Sequence, residues 1–167
     1  MGKYVQTAIL IAIITHVLLL FAAPRVLMHV AMERLGAAGE NAWHSGERVT
    51  AQSRQIVRPS PDFAYASCVY DLSHGPVRIT VTPWPSYWSL SLYGANSDNF
   101  YVVDDREARR GAAVLLVRTG SRHPETDDTV VESPSGRGIA LIRRLAPSPE
   151  THVGAVAAAR TDICAPS

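Results

Sequence analysis

The stretch 77-VRITVTPWPSYWSLSLYG-94 decides the fold class. Val77, Ile79 and Val81 alternate with Arg78, Thr80 and Thr82, a period of two that lays one apolar row along one face of an extended strand. Pro83-Trp84-Pro85-Ser86 interrupts the pattern, and Tyr87 to Tyr93 resumes it. Trp88, Leu90 and Leu92 then share one face, and Tyr87, Ser89, Ser91 and Tyr93 the other. The spacing predicts a hairpin of two strands with a four-residue connection. It also divides the aromatic residues instead of pooling them. Trp88 goes with the core, whereas Tyr87 and Tyr93 lie on a mixed face suited to water or to a second protein. Trp84, between two prolines, is the residue a core explains least. Trp84, Tyr87 and Tyr93 are therefore the candidate partner contacts.

Outward from this pair the pattern repeats. Asp62–Tyr70, Phe100–Val103, Ala113–Arg118, Thr129–Glu132 and Ile139–Arg143 read as further short strands. The links between them are rich in Gly, Pro and Asp, and 94-GANSDN-99 is a turn by composition. After the first sixty residues only His152–Arg160 reads as helix, with Thr151 as its cap. The fold expected is mainly β: a small antiparallel β-sandwich or a partly open barrel, with a short C-terminal helix.

The N-terminus is different. Val5 to Ala23, VQTAILIAIITHVLLLFAA, carries no formal charge. As a helix these residues span about 28 Å, close to the hydrocarbon thickness of a bilayer. This predicts a transmembrane helix acting as an uncleaved anchor. A cleavable signal peptide is the competing reading, but cuts after Ala22 or Ala23 would place Leu20 or Phe21 where a small residue is required. Lys3 precedes the span and Arg25 follows it, which favours an inward N-terminus. Ala8, Ala12 and His16 form one stripe that would admit a neighbouring helix, the candidate transmembrane contact. Pro24 begins a second helical stretch over Val26–Leu35, or kinks a continuing one, and Gly36 stops it. The organisation expected is an anchor with its extension over 1–36, a linker arm over 37–56 and a periplasmic β domain over 57–167.

A net charge of +1 gives no basic surface to displace counterions from phosphates, so no nucleic-acid partner is expected. The two cysteines, Cys68 and Cys164, lie outside any zinc-ligand spacing. In an oxidising compartment beyond an anchor they would form a disulfide; two buried free thiols are the alternative. The histidines show no metal-ligand spacing, and no nucleophile elbow or phosphate-binding glycine loop occurs. No metal or cofactor is expected. Asp62, Asp71, His74, Asp104 and Asp105 are the acid–base candidates, with turn and cap chemistry as their ordinary role. Arg106, Arg109 and Arg110 make a small basic cluster that reads as solvated surface.

Two segments carry a family resemblance, 57-VRPSPDFAYASCVYDLSHGPVRITV-81 and 87-YWSLSLYGANSDNFYVVDD-105. A Pro-rich opening with an Asp, a strand ending in Asp-Leu and a Tyr-Trp strand running into an Asn-rich turn together resemble the bacterial domain of unknown function numbered 1254. The match extends over roughly residues 55 to 165. The resemblance implies a β-rich fold, here in a short membrane-anchored form. It also implies a companion, because larger members carry a second module, numbered 1214, that this chain lacks. It implies no reaction. The function expected is a single-pass inner-membrane protein with a periplasmic interaction module. The alternative is an envelope enzyme or small-molecule binder whose pocket a partner completes.

Overall fold

The computed structural model describes residues 2–54 and 58–167. The expected boundary between arm and domain, at residues 56 and 57, lies outside the described residues. Among the described residues one long helix, α1 (Gly2–Leu35), leads into nine strands and a second helix. The strands are β1 (His44–Ser45), β2 (Phe63–Asp71), β3 (Val77–Val81), β4 (Trp88–Gly94), β5 (Asn99–Asp104), β6 (Ala112–Arg118), β7 (Thr129–Ser133), β8 (Arg137–Leu145) and β9 (Ile163–Pro166). Helix α2 (Pro149–Ala159) precedes β9.

The strands form two sheets, ordered β1-β2-β8-β4-β5 and β7-β6-β3-β9. They face each other across one core. The larger sheet contributes Cys68, Tyr70, Trp88, Leu90, Leu92 and Ile142, and the smaller one Val77, Ile79, Val81, Val114 and Leu116. The mainly β expectation holds, and the architecture is an open sandwich with no closed barrel. One pair departs from the antiparallel rule: β6 and β7 run parallel, joined by a return loop over residues 119–128. The continuous apolar run VLLV in β6, buried on both faces, suits a strand flanked this way.

The expected hairpin does not form. β3 pairs with β6 and β9, whereas β4 pairs with β5 and β8, so residues 82–87 carry the chain from one sheet to the other. Pro83 and Pro85 supply no backbone donor to a ladder, which removes the bonds a hairpin end would need. Trp84 anchors the crossing: its indole N–H donates to the Leu145 carbonyl at 3.0 Å.

Helix α1 is one helix, not two, and Pro24 lies inside it. Its last turns bury Met28, Ala31 and Met32 against Val69 of β2 and Ile139 of β8. Gly36 ends it, its N–H bonding the Met32 carbonyl. The segment that follows is held to the sheet. The Asn41 side chain exchanges bonds of 2.9 and 3.1 Å with both backbone groups of Asp71, and β1 pairs with β2. In α2 the cap is Ser148 rather than Thr151. Ser148 accepts from the Thr151 N–H, and the Thr151 hydroxyl accepts from the Ser148 N–H, a reciprocal capping box.

Cys68 and Cys164 are joined, linking β2 in one sheet to β9 in the other. A second tie crosses nearby. The Arg144 and Asp162 side chains, 2% and 0% exposed, meet at 2.9 Å. Asp162 Oδ1 also accepts the Thr82 N–H at 2.8 Å, and the Thr82 carbonyl accepts from Arg144 Nη2 at 3.1 Å. Strand β8, the end of β3 and the turn after α2 therefore share one charged knot.

Candidate functional site

The two faces of the larger sheet differ. One is the core. The other carries Phe63, Tyr65, Ser67 and Val69 from β2, in register with Leu145, Arg143, Leu141 and Ile139 of β8. Ser89, Ser91 and Tyr93 of β4 lie beyond, opposite Arg143, Leu141 and Ile139. Helix α1 covers only the end formed by Val69, Ile139 and Tyr93. In the middle, Ser89 and Ser91 are fully buried and their hydroxyls have no hydrogen-bond partner. The mixed face read from sequence as open is thus closed at its centre. The flanking strands set Arg143 and Leu141 on one side of these small residues and Asp104 and Val102 on the other.

The far end stays open. Phe63 stacks edge-on against Tyr87 with centroids 6.0 Å apart and lies 6.3 Å from Tyr65. Tyr87 is 37% exposed; nearer the centre, Val102 of β5, opposite Ser91, is 50% exposed. The Tyr65 hydroxyl accepts from the Ser60 N–H at 3.0 Å, which fixes one edge of the cluster.

The three aromatic candidates therefore separate. Tyr87 lies on the open end. Tyr93 packs beside α1, and its carbonyl accepts from the buried Tyr70 hydroxyl at 3.0 Å. Trp84 wedges between the sheet and α2, against Ala64, Ala146 and Ala155. Ala8, Ala12 and His16 lie exposed along α1.

The acid–base candidates do not converge. Asp62 and Asp71 flank opposite ends of β2, about 30 Å apart for an extended strand of that length. His74 sits exposed in the turn after Asp71, and Asp104 caps its own turn by accepting from the Arg106 N–H at 2.9 Å. Burial raises the Asp71 carboxyl, but bonds from Ser73 and the charges of Arg137 and His74 outweigh it, leaving its pKa below the ordinary value. Burial holds the Tyr70 phenol above its usual value, so it remains a donor. Of the remaining histidines, His44 bonds the Gly39 carbonyl, His123 lies by the Pro124 carbonyl and His152 is buried on α2. Among the described residues no group of three or more His, Cys, Asp or Glu side chains is placed to hold a metal ion.

A void of about 10 Å³ beside Arg144, lined by Ala64, Ala155 and Ala159, is the size of one water. An open groove of about 300 Å³ runs along Thr80–Pro83 and Arg110–Ala113. Two features escaped the sequence reading: the Arg144–Asp162 knot and the docking of α1. The first had a signal, since Arg144 shares the core-facing alternation of Ala140 and Ile142.

A helix long and apolar enough to cross a membrane, seated on a two-sheet sandwich whose acid–base candidates do not converge, defines the class of protein. The chain belongs to the protein family of unknown function DUF1254, whose profile matches residues 40–165. The fold is similar to that of the VPA0106 protein from Vibrio parahaemolyticus, with 14% identity and a TM-score of 0.68 over 87% of this chain. The chain spans 36% of the length of that protein. A putative uncharacterized protein from Burkholderia cenocepacia is also similar, with 15% identity and a TM-score of 0.49, covering 68% of this chain and 34% of that one. No curated protein matches the chain.

Proposed function

We propose that this protein is a non-enzymatic, single-pass anchored interaction module. Helix α1 sits in a bacterial inner membrane and the sandwich stands on the periplasmic side, where the Cys68–Cys164 bond persists. The module works by docking a companion envelope protein on the open end of the outer sheet face. The observation that carries this reading is the partial cover of that face. Helix α1 occupies one end and leaves Tyr87 exposed at the other beside half-buried Phe63 and Tyr65, while Val102, opposite Ser91 on the outer strand, is exposed as well. Aromatic residues on a rigid sheet give large contact area at low entropic cost, the composition of an interface centre.

Site-specific photocrosslinking in intact cells tests it. A crosslinker at Tyr87 or Val102 should trap one discrete protein, and one at Val153, exposed on α2, should not. Val102→Asp should abolish the adduct without changing the melting temperature. Equal trapping from all three positions, or none, overturns the proposal. A C-terminal reporter enzyme active only outside the cytoplasm reads the topology independently.

A further inference from the structure

The 34-residue helix α1 does not end where its apolar run ends; it continues and docks on the domain. That continuity gives a ruler. The run Val5–Ala23 is exposed along its length, and Pro24 is the next residue. The Ser97 hydroxyl, in the turn between β4 and β5, donates to the Pro24 carbonyl at 2.8 Å. The turn thus touches the helix one residue past the apolar run, about 1.5 Å along the axis.

From this we propose that the turn Ala95–Asp98 lies in the lipid headgroup layer and sets the depth of the anchor. The inference rests on the anchored reading above. The headgroup layer is about 5–7 Å thick on each side of the hydrocarbon. A contact about 1.5 Å beyond the hydrocarbon edge falls within it. Sliding α1 outward by a full turn, about 5.4 Å, leaves the contact at the border of that layer, whereas sliding it inward by a turn carries the contact into the hydrocarbon. Tilting the helix does not separate the two, because the bond is made to the helix itself.

Two opposed features hold this level. Val26, Leu27 and Val30 are exposed and apolar just beyond the run, and draw the helix deeper. Asn96, Ser97, Asp98 and Asn99 travel with it and would enter hydrocarbon, which polar groups resist. The turn is not free to fold away. The Ala95 N–H bonds Ser135 Oγ at 2.9 Å, and Ala95 packs beside Met28, Ala31 and Met32. The partner surface is phospholipid headgroups, met by amide, hydroxyl and carboxylate groups.

Depth-dependent quenching tests this on the full chain. Asn96→Cys and Asp98→Cys would each carry an NBD fluorophore, with Cys68 and Cys164 already joined to each other. The proteins go into vesicles of phosphatidylethanolamine and phosphatidylglycerol containing a headgroup-nitroxide lipid. Both labels should lose most of their emission, and Glu107→Cys, beyond the other end of β5, should lose none. Ile13→Cys should respond to an acyl-chain nitroxide. If Ile13→Cys is quenched and neither turn label exceeds Glu107→Cys, the headgroup placement fails while the anchor stands. If Ile13→Cys escapes as well, the anchor fails and the placement with it.

Discussion

Removing one half of the Arg144–Asp162 pair should be the most damaging single change outside the apolar core. Asp162→Ala strands a guanidinium that is 2% exposed, and also removes the carboxylate that accepts the Thr82 N–H at 2.8 Å. Breaking a buried ion pair from one side costs about 3–5 kcal/mol, because the surviving charge is left without a partner. Against a total stability of about 5–15 kcal/mol this is about a fifth of the fold or more. For a domain of this size each kcal/mol moves the melting temperature by about 3–4 °C, so a fall of about 10–20 °C is expected. Near-UV circular dichroism of the detergent-solubilised protein reads it. The double variant Arg144→Met with Asp162→Leu should recover most of the loss, since a matched apolar pair is close to neutral. A fall under about 3 °C for Asp162→Ala, or a double variant as unstable as the single, refutes the argument that this pair ties the sheets.

Three more outcomes are expected. Reducing Cys68–Cys164, which closes a separation of 96 residues, should lower stability by about 4–5 kcal/mol on the chain-entropy account, read by thermal unfolding with and without reductant. Gly138→Ala should destabilise by about 1–3 kcal/mol or more, because its Cβ would collide with the Tyr93 carbonyl and the Tyr70 hydroxyl; urea unfolding measures it. The Arg78 hydrogen bond holds the Asp128 carboxyl below the ordinary aspartate value. A lowered folded pKa stabilises above the unfolded value of about 3.9 and is lost as pH falls through the folded one, so Asp128→Asn should unfold with a flatter pH dependence below about 4.

The β content was legible where a strand has one wet or partly wet face, as β3 does. Val77, Ile79 and Val81 alternate with polar residues, and they are buried as that alternation demands. Pairing was not legible, because alternation fixes a face and says nothing about which neighbour shares it. The two prolines around Trp84 were the clue against a hairpin, and strict alternation on both sides hid it. Pro24 left two readings open, a helix start or a continuing helix, and α1 carries it in mid-helix, as helices suited to membranes often do. Strand β9 was missed because ICAP is short and ends in Pro166; its position comes from Cys164 pairing with Ile79 of β3 and bonding across to Cys68. The candidate face was half legible. Tyr87 was placed, but the covering of Tyr93 depends on Met28 and Met32, distant in sequence and indistinguishable there from the rest of an apolar helix.

The ties between the sheets bear on how the open face works. The disulfide, the Arg144–Asp162 pair and the Trp84 wedge all join elements of the larger sheet to β3, β9 or α2 and the segments flanking them. Each limits sliding of one layer over the other, and none touches the exposed edge of Tyr87 or Val102. Helix α1 adds a fourth restraint on the same sheet, through Val69 and Ile139. The Phe63–Tyr65–Tyr87 cluster therefore stands on a sheet braced from both faces. A preformed aromatic surface loses little conformational freedom on docking, so affinity there depends on contact quality and not on ordering. On that argument Val102→Asp should weaken partner binding through faster dissociation, with the association rate little changed, and a loss carried by slower association would mean that the face must rearrange before it binds.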